Sequence, residues 1–417
     1  VASIKAFVLA GGPGQKLGVL AKHRAQAALP FGGRYRVIDF TLSNCVHSRI
    51  HNVQIAAQYS PRSLSEHIRL GRPWDLDRSS GGAMLLQPYT GREDSHWYRG
   101  TADALYRNLD MITSGKPNML LVLSGDQVYR MNYGEMIRQH LRNKAKVTIA
   151  LKPTDPRNCQ RFGMVQLEGS QVVRFQEKPE TTDMRLANLA VYLFDLRWLV
   201  ERLHEIISES RFDIVWDLII PAVERNLVSG WIFDGYWEDI GQLDAYYNAN
   251  RSLLPAASRY LWDAGWPIFT RSEERPPAKF GATAQLDNCI IANGCRVHGT
   301  VERSILFPGV LVGHGSVVRD SIVFSGAEIH DRAEVERCIL DKRVRVGHGS
   351  HIGCGQADEA DLGGSGAVVS TREGLSVIGR DTCIPDGFTL QTPRMLDSHL
   401  DGEAVRRACE TGSPERD

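Results

Sequence analysis

No Cys-x-x-Cys pair occurs anywhere in the chain, and its eight cysteines fall at spacings that suit neither a zinc site nor a disulfide framework. That pattern fits a reducing compartment and predicts no structural metal. Net charge is also missing: 49 Lys and Arg balance 49 Asp and Glu. No whole-chain field therefore draws nucleic acid or a membrane surface, and any anion site has to be a local cluster. Long apolar runs are absent too, with nothing near the roughly 20 residues of a membrane span. The opening VASIKAFVLA moves straight into a strand pattern instead of a charged-then-apolar leader. The expectation is a soluble cytoplasmic protein with no nucleic-acid or membrane partner. At 417 residues it has room for two or three domains.

What is present falls into two grammars. Over residues 1–250, short apolar runs alternate with amphipathic ones: IKAFVLA (4–10), VQIAAQ (53–58), MLLVLSGD (119–126), KVTIAL (146–151) and LAVYLFD (189–195) read as strands. GEMIRQHLRNK (134–144) reads as a surface helix with Met136, Ile137, His140 and Leu141 on one face. Strands separated by helices predict a Rossmann-like α/β domain with a mostly parallel sheet, whose ligands gather at the carboxyl ends of the strands. From residue 286 the pattern changes. Val301-Glu-Arg-Ser-Ile-Leu, Val318-Arg-Asp-Ser-Ile-Val and Val335-Glu-Arg-Cys-Ile-Leu recur 17 residues apart, after a weaker copy at Leu286. This period predicts a triangular parallel β-solenoid, with four or five coils between Leu286 and Gly353. Residues 251–285, with the paired prolines of RSEERPPAKF, read as a linker, and 286–417 as the solenoid domain with an irregular final segment.

The stretch AGGPGQKL (10–17) follows the first strand. Gly11, Gly12 and Gly14 can turn successive backbone N–H groups toward a polyphosphate. The spacing is neither the dinucleotide fingerprint nor the P-loop, so those two folds are not supported. LSGD places Asp126 at a second strand end, where a carboxylate can serve a ligand.

Further motifs follow in fixed order: ALPFGGRYRVIDFTLSNC (28–45), QPYTGREDSHWYRGTADALYRNLD (87–110), LSGDQVYRMNY (123–133), FGMV (162–165), FQEKP (175–179) and YWEDIGQLDAYYNAN (236–250). In these the chain resembles the glucose-1-phosphate adenylyltransferase (ADP-glucose pyrophosphorylase) family, from about residue 4 to the end of the solenoid. The resemblance implies a nucleotidyltransferase domain followed by a left-handed parallel β-helix. It also implies a reaction joining ATP and α-D-glucose 1-phosphate to give ADP-glucose and pyrophosphate.

On that resemblance, Lys16, Arg24 and Asp126 are the catalytic candidates, and Gly11, Gly12, Gly14 and Gln87 bind the nucleotide. Tyr98, Gly163, Glu177, Lys178 and Asn188 bind glucose 1-phosphate, with Lys178 gripping the phosphate and Glu177 the sugar hydroxyls. Gln58 and Trp97 match positions that link effector and substrate sites. Asp126 and Asp239 are the expected ligands of Mg²⁺, which prefers carboxylate oxygen. A small anionic effector and a homotetramer, or a heterotetramer with a homologous subunit, complete the expectation.

The departures from the family pattern bear on catalysis. The family loop AGGxGTRL has Thr and Arg where this chain has Gln15 and Lys16, and RAKPA becomes RAQAA, with Gln26 for Lys and Ala27 for Pro. Asn188 replaces a sugar-contacting serine. Lys16 keeps a charge but not the planar fork of Arg, and Gln26 removes a charge altogether. Losing one transition-state donor costs about 2.7–4 kcal/mol. Plant large subunits, which are mainly regulatory, are altered at the same two positions. A catalytically weak regulatory subunit is therefore the alternative to an active enzyme. Another sugar nucleotidyltransferase, or an acyl-transferring solenoid, is a third reading; the short solenoid and its corner histidines disfavour the acyl transfer.

Overall fold

The computed structural model describes residues 3–88, 97–254, 263–353, 374–390 and 393–410. Residues 89–96 of the QPYTGREDSHWYRGT motif, and 354–373, 391–392 and 411–417 after Gly353, lie outside the described residues. The chain forms two compact units, one of Val1–Gly12, Ala25–Ala27 and Ile38–Trp237, the other of Pro13–Arg24, Ala28–Val37 and Glu238–Asp417. This differs from the partition at 250 and 286 read from the sequence, because two N-terminal segments pack with the C-terminal part of the chain.

The first unit is built on nine strands: β1 (Ile4–Leu9), β2 (Asn52–Ala56), β3 (Gly82–Leu86), β4 (Met119–Ser124), β5 (Val147–Pro153), β6 (Gly163–Glu168), β7 (Gln171–Glu177), β8 (Leu186–Asp195) and β9 (Val228–Ile232). Their order in the sheet is β3-β2-β1-β4-β8-β5-β9-β7-β6. From the pairings, β8 and β7 run against the other seven, so the sheet is mostly parallel in direction. The last strand, β6, returns to pair with β8 at Leu186↔Val165, which curls that half of the sheet on itself. Central strands such as β4 are apolar on both faces, as strands covered on both sides must be.

Two helices show how sequence places the covering layers. α1 (Tyr133–Asn143) is capped by Asn132, whose side chain accepts the Gly134 N–H, and buries Tyr133, Met136 and His140. Leu141, expected on that face, is half exposed, because it stands one residue beyond the stripe that reaches the sheet. α2 (Leu196–Ser208) is capped by Asp195 and buries Leu196, Leu199, Leu203 and Ile206. Each of these contributes roughly 1.5–3 kcal/mol of transfer free energy.

The second unit contains three parallel sheets of six strands each, one per face of a β-helix. Val301, Val318, Val335, Ile352 and Leu390 form one inward column, paired rung to rung. The coils begin at Lys279, which pairs with Arg296, and not at Leu286. They resume with Ser376–Ile378 and continue to Met395–Leu396, beyond the four or five expected. The helix Gly402–Glu410 ends the described chain and buries Val405 in the solenoid core.

Candidate active site

The register of the curled half-sheet assembles one cluster in the first unit. Gly163 stands opposite Glu177, and its neighbour Met164 opposite Ala187, which precedes Asn188. A Cβ on Gly163 would lie 2.7 Å from Glu177 Oε2 and 2.6 Å from the Phe175 ring, so glycine here is what leaves the carboxylate its place. Glu177 is 16% exposed, and Lys178 beside it 60%, with Nζ 3.5 Å from Glu177 Oε1. Lys178 sits in the left-handed region at φ 46 while its N–H bonds Phe162. This turns its side chain out of the strand path. Burial raises the Glu177 carboxyl above its usual range; Lys178 opposes that and Asp213 adds to it.

Asn188 and Asp213 complete this wall. The Asn188 amide donates to the Tyr192 hydroxyl at 2.8 Å, and its oxygen accepts the Ala190 N–H. Both ends of the residue that replaces the family serine are thus engaged within its own strand. Burial holds the Tyr192 phenol protonated, with Glu177 and Asp213 acting in the same direction. Asp213 escaped the sequence reading. It caps the following turn by accepting the Val215 and Trp216 N–H groups, and that local capping pattern was the one signal available.

A second group lies where β1 and β2 end. A Cβ on Gly11 would meet Gln58 at 3.3 Å, so the glycine lets the loop lie against it. Gln58 then pairs with the backbone of Tyr98, accepting its N–H at 2.7 Å and donating to its carbonyl at 3.5 Å. The Tyr98 hydroxyl accepts from Asn108. Trp97, 53% exposed, stacks on Tyr59 at 5.2 Å. Gly12 faces open space, and Gln87 is exposed just past β3. Gln26 is buried, and its Nε2 has no hydrogen-bond partner.

The metal candidates are half-buried carboxylates at chain turns. Asp126 follows β4 and accepts the Ser124 hydroxyl; Asp239 accepts the Gly241 N–H at 2.9 Å. Among the described residues, no group of three or more His, Cys, Asp and Glu gathers to hold a metal. Hard oxygen donors that supply only part of a shell fit an ion that keeps waters and takes phosphate oxygens.

In the second unit Arg24, a catalytic candidate by resemblance, is engaged with a carboxylate through one nitrogen, while its Nη1 is buried without a hydrogen-bond partner. It is 4% exposed, and its Nη2 lies 2.7 Å from both carboxylate oxygens of Asp341, itself fully buried. Removing one partner of such a pair costs about 3–5 kcal/mol. Gly14, at φ 62, opens the short 3₁₀ segment Gln15–Ala21, on which Lys16 is exposed.

A glycine loop at the end of β1, a carboxylate at the end of β4 and a glutamate–lysine pair at the end of β7 stand where an α/β sheet of this kind gathers its ligands, as a nucleotidyl transferase requires. The nucleotidyl transferase family matches residues 5–255, and the GlmU-like C-terminal hexapeptide family matches 276–378. The glucose-1-phosphate adenylyltransferase of Thermomicrobium roseum is 44% identical over 97% of this chain and 96% of its own length. That of Thermotoga maritima is 43% identical over 75% of this chain and 76% of its own. The one from Acetivibrio thermocellus is 36% identical over 96% and 94%. The chain belongs to the glucose-1-phosphate adenylyltransferase family. Among the described residues no helix is long and apolar enough to cross a membrane.

Proposed function

We infer that the chain transfers the adenylyl group of ATP to α-D-glucose 1-phosphate in the cytoplasm. An oxygen of the sugar phosphate attacks the α-phosphorus, the bond to the β-phosphate oxygen breaks, and ADP-glucose and pyrophosphate form. The family membership carries this reading, and the Gly163–Glu177–Lys178 geometry supports its sugar-phosphate half. Lys178, mostly exposed, is free to turn from Glu177 to a phosphate, and the half-desolvated Glu177 can accept from sugar hydroxyls. The glycines meet the nucleotide phosphates, Gln87 the base, and Lys16 the leaving pyrophosphate. Asp126 and Asp239 would hold Mg²⁺, which supplies neutralisation of the phosphate charge. With no covalent intermediate to form, positioning and electrostatics account for the rate.

A catalytically weak regulatory subunit is the second reading. The buried, unpartnered amide of Gln26 favours it, because a cation stands there in the family pattern. A small anionic effector fits the cations gathered around Arg24. The Lys342 amine is lowered to about 8 by burial and by Arg36 and Arg24. The His23 imidazole is lowered by burial and by Arg380 and His399. Assembly through the solenoid into a homotetramer or mixed tetramer belongs to the same proposal. The test is turnover of the purified chain alone with ATP, glucose 1-phosphate and Mg²⁺. Steady pyrophosphate release supports the enzyme. No release, with activity appearing only on addition of a homologous subunit, selects the regulatory reading.

A further inference from the structure

Three tethers hold the segment 13–24 to the solenoid, and they come from one end of one corner. Leu340, Ile378 and Leu396 stand in register on successive rungs, so the residues that follow them, Asp341, Gly379 and Asp397, descend a single corner. Arg24 is fixed to Asp341 and also lies over Phe324, the residue at the same corner one rung earlier, 5.8 Å from its ring centre. Two residues back, Lys22 Nζ meets Asp397 at 2.6 Å. Met395 makes the third tether. Its sulfur accepts the Val19 N–H at 3.3 Å and presses on Gly18, where an added Cβ would lie 2.4 Å away.

The arm cannot hold this shape alone. Its own backbone bonds are short-range turns, Leu17 to Gly14, Lys22 to Val19 and Arg24 to Ala21, and Gly18 breaks the 3₁₀ path at φ 54, ψ −131. So short a helical piece has no independent stability. The half-exposed Lys22–Asp397 pair adds little by itself. Close packing of Met395 on a backbone with no side chain joins the buried Leu17, Val19 and Leu20 in fixing the middle of the arm, while Arg24–Asp341 anchors its end. Lys16 rides two residues before that contact, exposed.

We propose that Met395, Asp397 and Asp341 are positioning residues for the nucleotide: the last coils of the solenoid set the arm that carries Lys16 without touching ATP themselves. This rests on the reading that Lys16 meets the nucleotide phosphates. Gly18 is glycine because of its φ of 54 and ψ of −131, and the missing side chain also leaves Met395 its place.

The test uses the full chain with Met395→Ala, Met395→Leu and Lys16→Ala, measuring ATP and glucose 1-phosphate dissociation constants and the sites of brief trypsin cleavage. Met395→Ala is expected to weaken ATP about tenfold, the effect of a small misplacement, and to leave glucose 1-phosphate unchanged. Cleavage after Lys16 and Lys22 should speed up, and Met395→Leu should restore most of the loss. If Met395→Ala fails to fold, Met395→Val, which also withdraws the sulfur from Gly18 and Val19, carries the same comparison. Equal weakening of both ligands, or no change in either, overturns the proposal. Unchanged ATP affinity in Lys16→Ala overturns it as well, and takes the nucleotide reading of Lys16 with it. Weakened ATP in Lys16→Ala beside an unaffected Met395→Ala removes the mount alone.

Discussion

Gly163 and Glu177 face each other across the β6–β7 hairpin so closely that a single added carbon would lie within 2.7 Å of the carboxylate. The two act as one unit, since Glu177 supplies the carboxylate and Gly163 the empty space that it occupies. Gly163→Ala should therefore push Glu177 or Phe175 aside. The Michaelis constant for glucose 1-phosphate is expected to rise about tenfold, with that for ATP hardly altered. Steady-state kinetics with each substrate varied in turn checks this, and an equal rise in both speaks against a sugar-phosphate role.

Glu177 also carries a pH dependence of known sign. Its carboxyl is raised in the folded protein, so folding favours the protonated form. That contribution is present below the ordinary value, about 4.3, and is lost as pH rises through the raised one. Glu177→Gln should thus be at least as resistant to heat as the parent at pH 7, while losing glucose 1-phosphate affinity. Melting curves from pH 4 to pH 8 test it; a variant less stable at neutral pH would show that the carboxylate is satisfied within the fold.

If Lys178 grips the sugar phosphate as proposed, Lys178→Gln should raise the Michaelis constant for glucose 1-phosphate far more than that for ATP, because that phosphate is already charged in the ground state. Its 60% exposure predicts little change in melting temperature. A matched rise for both substrates would mean that Lys178 serves elsewhere.

Asp126→Asn should abolish pyrophosphate formation and leave the fold intact, since an amide fills the same space but is a poor magnesium ligand. Turnover is measured beside circular dichroism. Near-parental turnover would remove Asp126 from the metal site.

Lys16→Arg with Gln26→Lys should raise turnover by about tenfold or more, by restoring a bidentate fork and a missing charge. Gln26 is 7% exposed with an unpartnered amide nitrogen, so the added charge should lower stability in the apo protein and recover it with ATP. On the proposed reading both positions serve one phosphate chain, so the two effects should be non-additive. Rapid turnover by the parent with no gain in the variant would mark an ordinary enzyme.

Much of the fold was legible because its signals are local. The strand ends at Leu9 and Ser124 and the 17-residue recurrence of Val301, Val318 and Val335 are patterns of neighbours. β3, β6, β7 and β9 were missed, since five to seven residues with Gly or charged interruptions carry no clear alternation. Gly163 and Glu177 were placed by motif, but the steric reason linking them needed the hairpin register. The Arg24–Asp341 pair was out of reach for a different cause: the partner lies 317 residues away, and no spacing within the chain announces it.

That separation has a consequence for how the protein is made. Adjacent rungs up to Ile352 close loops of about 17 residues, and the step from Cys338 to Ser376 one of 38, so each coil can form on the one before it as synthesis proceeds. The arm at residues 13–24 has no such local template. It leaves the ribosome first among the elements of its unit and lacks these two tethers until Asp341, and then Met395, have been synthesised. A chain truncated before those coils would keep the glycine loop yet lack the anchorage of its continuation, which ties a finished nucleotide arm to a finished chain.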